Sequence, residues 1–205
     1  MKTIALLLLS TTLALTACKK PADNPDHGSA APRISAAPDR VEVLARHRAT
    51  AGKEDLDADP VVVHFDRFAV TKAHFDPKHL EGGTATIELD PTSIKTGNTE
   101  RDDDLKSPAY VDVGQFATIT VDVANVKHQA GAKYTADATV ACHGVTKVYP
   151  VTFEVLATSE DTIRIEGEHP FSRLDFSIGI DPAKDPSERI DTALIIQWTL
   201  TLKTS

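Results

Sequence analysis

The sequence predicts an all-β chain built as an antiparallel barrel or sandwich. Three observations lead there. From about residue 41 onward, apolar and polar residues alternate with a period of two in stretch after stretch. Turn-forming residues separate those stretches. No long segment carries the 3.6-residue periodicity of an amphipathic helix. Alternation gives a strand one apolar and one wet face, as in antiparallel sheet. Several such strands at regular spacing make a barrel or a sandwich.

The chain does not begin with a strand. Residues 1–17 start with Lys2, continue through an apolar run and end in Leu15-Thr16-Ala17, directly before Cys18. The apolar run is too short to span a bilayer and has the layout of a signal peptide. Leu-Thr-Ala-Cys resembles the lipobox of bacterial lipoproteins. That resemblance implies cleavage before Cys18, lipid on its thiol, and a membrane anchor. The residue after Cys18 is Lys19, not the aspartate of inner-membrane retention. By the same resemblance, the expected location is the cell envelope, anchored in the outer membrane and facing the periplasm. Palmitate on Cys18 is part of this expectation. The chain's other cysteine is Cys142. With Cys18 lipidated no intrachain disulfide can form, so the fold must be held by its core.

Residues 18–40 comprise the lipidated cysteine and a linker. Pro21, Pro25, Pro32 and Pro38 recur among Ala, Ser, Asp and Gly, with few large apolar residues. Such a segment cannot bury enough surface to fold and reads as a disordered tether. As a flexible coil it spans roughly 25 Å. The folded domain is assigned to 41–205.

Within that domain the strands follow in order. VEVLARH, residues 41–47, is a candidate opening strand. In VVVHFDRF, Val61, Val63 and Phe65 share a face. AHFDPKHL, residues 73–80, reads as a strand leading into a turn at Asp76-Pro77. TATIELD places Ala85, Ile87 and Leu89 together; TITVDVANV does so with Ile119, Val121 and Val123. YTADATVAC puts Tyr134, Ala136, Ala138, Val140 and Cys142 on one face. VTFEV gives Val151, Phe153 and Val155, IRIEGE repeats the pattern, and FSRLDFSIG reads as a strand with Phe176 on its apolar side. LIIQWTLTL aligns Ile196, Trp198 and Leu200 with Leu194 and Leu202. Expected turns fall at Glu81-Gly82-Gly83, Thr96-Gly97-Asn98, Ala130-Gly131-Ala132 and His143-Gly144. A single bulge would swap the faces beyond it.

The acidic run Asp102-Asp103-Asp104 is a candidate metal loop. An EF-hand needs a glycine at its sixth position. Counted from Asp102 that position holds Ser107. A short helix explains the charges better. Thr99 is read as its cap, Glu100, Asp102 and Asp103 lie in its first turn, Lys106 lies in its last, and Pro108 ends it. A second short helix is expected at Asp185-Pro186, with Glu188 completing a capping box.

Other chemistry is weighed and set aside. Cys142 and His143 are neighbours, but adjacent side chains on a strand point to opposite faces. His64, His74 and His79, with Asp66 and Asp76, match no metal-ligand spacing. No nucleophile elbow, P-loop or H-E-x-x-H is present. No catalytic residue, metal or cofactor is expected. The charge balance is 30 Asp and Glu against 22 Lys and Arg, with a formal net charge of −8. No basic stripe interleaved with aromatics occurs, which argues against a nucleic-acid partner.

Three motifs in order carry a family resemblance: SIKTGNTERDDDLKS followed by YVDV, then CHGVTK at 142–147, then FSRLDFSIG at 171–179. The chain resembles the YceI-like family over roughly residues 60–200. That family often has His where Asp104 stands and Asn where Ser172 stands. The resemblance implies a lipocalin-like antiparallel β-barrel of about eight strands, with one or two short helices. It also implies a long-chain amphiphile, a polyisoprenoid or quinone-like lipid, held inside as cargo rather than as substrate. The expected apolar lining is Ile87, Leu89, Ile119, Val121, Val123, Tyr134, Ala136, Ala138, Val140, Val151, Phe153, Val155, Phe176, Ile196, Trp198 and Leu200. The alternatives are a solid barrel with a structural or stress-related envelope role and, behind it, an envelope enzyme.

Overall fold

The computed structural model describes residues 38–47 and 59–204. The expected signal peptide, Cys18 and most of the expected linker lie outside these residues. Ten strands form one sheet: β1 (Arg40–Ala45), β2 (Val61–Phe65), β3 (Phe68–Asp76), β4 (His79–Leu89), β5 (Ile94–Lys95), β6 (Ile119–Ala130), β7 (Lys133–Cys142), β8 (Val145–Thr158), β9 (Thr162–Ser172) and β10 (Ala193–Lys203). One helix, α1 (Thr99–Lys106), lies between β5 and β6. Every strand pair is antiparallel, in the spatial order β3-β4-β6-β7-β8-β9-β10-β1-β2-β5. The all-β antiparallel architecture is the expected one. The strand count is ten against about eight: residues 61–68 pass from β2 through a bend into β3, residues 73–80 pass from β3 through a turn into β4, and the two-residue β5 adds an edge.

That order forces the sheet to curl. Seven strands separate β2 from β3 across the sheet. In a flat sheet they would stand about 38 Å apart. Yet Phe65, the last residue of β2, and Phe68, the first of β3, are joined through Asp66 and Arg67, which reach at most about 11 Å. The sheet must wrap round until its two sides meet at this joint. The joint is tied to the segment Asp90–Ser93. Arg67 N donates to Ser93 Oγ at 3.0 Å, and Ser93 Oγ donates to the Asp90 carbonyl at 2.6 Å. Asp90 N donates to the Arg67 carbonyl at 3.0 Å. Outside, the Arg67 guanidinium meets Asp90 at 2.7 Å and Thr92 at 2.7 Å. At the far end of the seam, Phe75 N donates to Thr204 Oγ1 at 3.4 Å.

Bulges decide which face points inward. In β3 the pairing register shifts between Val70 and Lys72, so the inward side passes from Phe68 and Val70 to Ala73 and Phe75. In β6 the shift follows Ala124, where Asn125 has φ of 55° and donates to Asp137 at 2.8 Å, and the inward set moves from Val123 to Val126. In β8 the shift beyond Val155 leaves Leu156 exposed.

Four local expectations change. Glu81-Gly82-Gly83 is not a turn but an irregularity inside β4. The turn is at Pro77-Lys78, closed by Lys78 N donating to Asp76. The cap of α1 is Asn98, one residue earlier than Thr99, with its side chain accepting from Arg101 N at 3.0 Å. FSRLDFSIG is not a strand throughout: β9 stops at Ser172 and Arg173–Phe176 is a 3-10 turn ended by Ser177 in the left-handed region. Ser172 Oγ accepts from Leu174 N, the capping role that an Asn would also fill. The Asp185-Pro186 stretch caps a turn and not a helix. Asp185 Oδ1 accepts from Ser187 N and Oγ at 2.9 and 2.6 Å, and no helix follows.

The acidic run is scaffold. Asp102 is buried, and its Oδ1 accepts from Thr96 N and Thr96 Oγ1, both at 2.7 Å. The Thr96 hydroxyl holds its carboxyl below the usual carboxylate range. Glu100 sits in the helix's first turn and Lys106 in its last, where the helix dipole favours them.

The joint yields a test. Ser93 is 3% exposed, whereas the Arg67 side chain is 63% exposed. Ser93→Ala removes the acceptor of the Arg67 N–H and the donor to the Asp90 carbonyl at a buried position and should cost about 1–3 kcal/mol. Arg67→Ala removes a larger group but a solvated ion pair and should cost under about 1 kcal/mol. Urea midpoints of the two variants check the order.

Candidate functional site

Inside the curl lies a two-lobed cavity. Adjacent strands bring their inward side chains into rows across the sheet. One row runs Tyr134, Phe153, Gly167, Trp198, Val41. Gly167 is the gap in that row. A side chain there would collide with the Trp198 indole and with the Thr152 carbonyl. The missing Cβ therefore lets the indole lie against the backbone instead of standing into the interior. Small residues on β4 and β7, Ala85 and Ala138, leave further room.

The inner lobe measures about 180 Å³. Its wall is carbon almost throughout, from residues such as Val41, Phe75, Leu80, Ile87, Val151, Trp198 and Leu202. The outer lobe measures about 480 Å³. The two share Leu89, Val121, Val140, Phe171, Phe176 and Ile196 as common wall, so they adjoin. The outer lobe reaches a polar rim of Arg46, His47, Asn98, Glu100, Arg101 and Asp104.

Of the residues expected as lining, Ile87, Leu89, Val121, Val123, Ala138, Val140, Val151, Phe153, Phe176, Ile196, Trp198 and Leu200 stand at the inner lobe, and Ile119 at the outer. Tyr134, Ala136 and Val155 do not reach the cavity and pack in the core. Tyr134 stacks on Phe153 at 5.6 Å and fills that end. Val61, Val63 and Phe65 also line the outer lobe; their alternation is legible in the sequence, but they are not among the residues expected there. Leu105, Tyr110, Val111, Ile178 and Ile190 come from non-strand segments folded over the outer lobe, and no strand periodicity points to them.

Arg173 organises that cover. On a strand it would have faced outward with Asp175. The 3-10 turn instead directs it inside, where it is 1% exposed. Its guanidinium donates to four backbone carbonyls: Asp191 at 3.0 Å, Ile178 at 2.8 Å, Ile180 at 2.9 Å and Ile190 at 3.0 Å. The buried Glu188 lies 3.9 Å away. Gly179, with φ of 69°, lets the chain pass so close that a Cβ would meet the guanidinium. One cation thus holds the loop 177–191 in place over the outer lobe.

The other polar candidates are structural. His143, in the left-handed region, turns the β7–β8 hairpin with Gly144. Its Nδ1 lies 2.8 Å from the Phe176 carbonyl, away from Cys142. Burial pushes the Cys142 thiol up to about 11, the reverse of an activated nucleophile. His64 Nδ1 meets Glu42 at 3.2 Å. Among the described residues, no three His, Cys, Asp or Glu side chains converge as a metal site would require.

Arg173→Lys should cost about 3 kcal/mol or more, because one ammonium cannot reach four carbonyls arranged around a planar fork and buried carbonyls are left unpaired. The expected signs are a lowered urea midpoint and new proteolytic cleavage within 177–191.

Comparison with known proteins agrees with this geometry. The YceI-like domain matches residues 37–202. A UPF0312 protein of Vibrio campbellii is 25% identical over 128 residues, 60% of this chain and 66% of that protein. A UPF0312 protein of Yersinia enterocolitica is 33% identical over 86 residues, 42% of this chain and 43% of that protein. The matched stretches span less than two thirds of the relatives' own length. Among solved structures, Burkholderia cenocepacia BcnA superposes with a TM-score of 0.68 at 20% identity, covering 80% of this chain and 96% of that one. A polyisoprenoid binding domain from Saccharophagus degradans gives 0.60 at 16% identity, covering 82% and 94%. A fold shared at this level, together with a family match over most of the sequence, places the protein: the chain belongs to the YceI-like domain family.

Proposed function

We propose that this protein is a carrier or storage protein for a long-chain amphiphile of the polyisoprenoid or quinone-like class. The observation that carries the reading is the pair of adjoining pockets inside the curl, the inner one walled almost wholly by carbon. A solid barrel would have filled them. The outer lobe alone falls within the usual size of ligand sites, about 300–1,000 Å³. Burying hydrocarbon is worth about 0.8 kcal/mol per methylene, so an isoprenoid tail binds here without special chemistry. The Saccharophagus degradans relative, described as a polyisoprenoid binding domain, supports the ligand class.

The reading extends to location. Leu15-Thr16-Ala17-Cys18 supports lipidation at Cys18 and anchoring in the outer membrane, facing the periplasm. The tether would let the barrel move near the bilayer that supplies or receives its cargo. Nothing in the reading requires catalysis, and the raised Cys142 pKa fits an inert wall residue.

Two experiments test this. The soluble fragment should begin before Pro38, because Arg164 binds Asp39 at 3.0 Å and Asp39 accepts from Thr201 N at 3.0 Å. Residues 31–205, purified without detergent and extracted with organic solvent, should release a near-stoichiometric isoprenoid or quinone by mass spectrometry. A blank, with no change in Trp198 fluorescence on adding isoprenoids, would sink the carrier reading. In cells given labelled palmitate, the full chain should take up label and partition with membranes, and Cys18→Ser should do neither. Label retained by the variant would refute the anchor.

A further inference from the structure

The wall of the inner lobe offers a ligand carbon surface and almost nothing to hydrogen-bond. What it takes is therefore apolar, and what it selects on is size. Three small residues set that size. Ala85 and Ala138 are buried and line the lobe. Gly167 stands between Phe153 and Trp198 in the row of inward positions and pairs with both. The φ of Gly167 is not positive, so the backbone does not call for glycine there. Space does. A Cβ at 167 would overlap Trp198 Cζ2 and come within 2.8 Å of both Trp198 Cε2 and the Thr152 carbonyl oxygen. Thr152 is held in the ladder between β7 and β8. The indole is a half-buried side chain that lines the lobe. The group that yields to a side chain at 167 is the indole, and the space it yields into is the lobe.

We propose, resting on the carrier reading above, that Gly167 and Trp198 set the length of tail this protein accepts, and that the inner lobe takes the apolar end of that tail. An apolar cavity of about 150 Å³ holds one benzene. At about 180 Å³ the inner lobe has room for about one isoprene unit. A tail whose last unit enters it gains contact along carbon on all sides. A tail one unit shorter leaves that wall uncovered, and a longer one has no further room. The glycine withholds a side chain, and the indole laid against it fixes how far the lobe extends.

The test uses residues 31–205, which contain every described strand and the continuous core they bury. The fragment is stripped of lipid and offered an equimolar mixture of geraniol, farnesol, geranylgeraniol and geranylfarnesol, prenols that differ by one isoprene unit each. Bound prenols are recovered by gel filtration and solvent extraction and counted by mass spectrometry, so the readout does not depend on Trp198. Gly167→Ala should shift the most enriched prenol to a shorter one, lowering the ratio of the wild type's preferred prenol to the next shorter by at least about tenfold. Ala138→Leu fills the lobe from β7 and does not depend on the contact at Thr152. It should produce the same shift, and keeps the test decisive where Gly167→Ala does not fold. Trp198→Phe should move the preference toward longer prenols, and adding it to Gly167→Ala should restore the wild-type ratio. A length profile that Ala138→Leu and Trp198→Phe both leave unchanged overturns the proposal, as does a loss that falls equally on all four prenols. Either result leaves the carrier reading standing, because the wild-type fragment still binds. Uptake of no prenol by the wild-type fragment removes both.

Discussion

The two-residue joint between β2 and β3 is the constraint on which this structure depends. It makes the two sides of a ten-stranded sheet consecutive in the chain, and no flat arrangement satisfies that. The barrel is thus closed by covalent geometry rather than by a continuous hydrogen-bonded ladder. The Asp90–Ser93 segment supplies the hydrogen bonds that a ladder would otherwise provide at the corner. Once the sheet is curled, its apolar face has nowhere to go but inward, and the interior follows.

Curling does not by itself leave space. An interior ringed by large side chains would fill, since a barrel of this scale is about wide enough for its own residues. Here Ala85, Ala138 and Gly167 withhold volume at facing positions, and Gly167 lets Trp198 fold back against the wall. Apolar surface left facing water is unfavourable by about 25 cal/mol per Å², so hydrocarbon that covers the carbon wall of the inner lobe is favoured there.

The outer lobe is built on a different principle. Its cover comes from loops, which lack the ladder that orders strands. Arg173 replaces the ladder: one guanidinium orders a segment of otherwise irregular backbone by accepting none and donating to four carbonyls. Asp102 does the same on the opposite sign, with its carboxylate pinning Thr96 at the start of the α1 cover. The charged residues that the sequence draws attention to are thus organisers of the walls around the cavity.

The sequence by itself determined the strands and their inward faces. Ile87, Leu89, Val121, Val123, Val151 and Phe153 stand at the cavity as their alternation predicts, because the period of a strand is two and the chain cannot evade it. Short hairpins such as His143-Gly144 were equally legible, since positive φ leaves a mark in residue choice. The three family motifs carried the fold as well. What only the tertiary structure decided was where that periodicity breaks and what crosses it. The bulges in β3, β6 and β8 move the inward face by one residue, and nothing local announces them. Arg173 reads as an exposed strand charge until the 3-10 turn after Ser172 buries it among carbonyls far along the chain. Tyr134, Ala136 and Val155 share the right face but sit where the core is packed solid. Depth along a barrel depends on the stagger of all ten strands together, and no single strand encodes it.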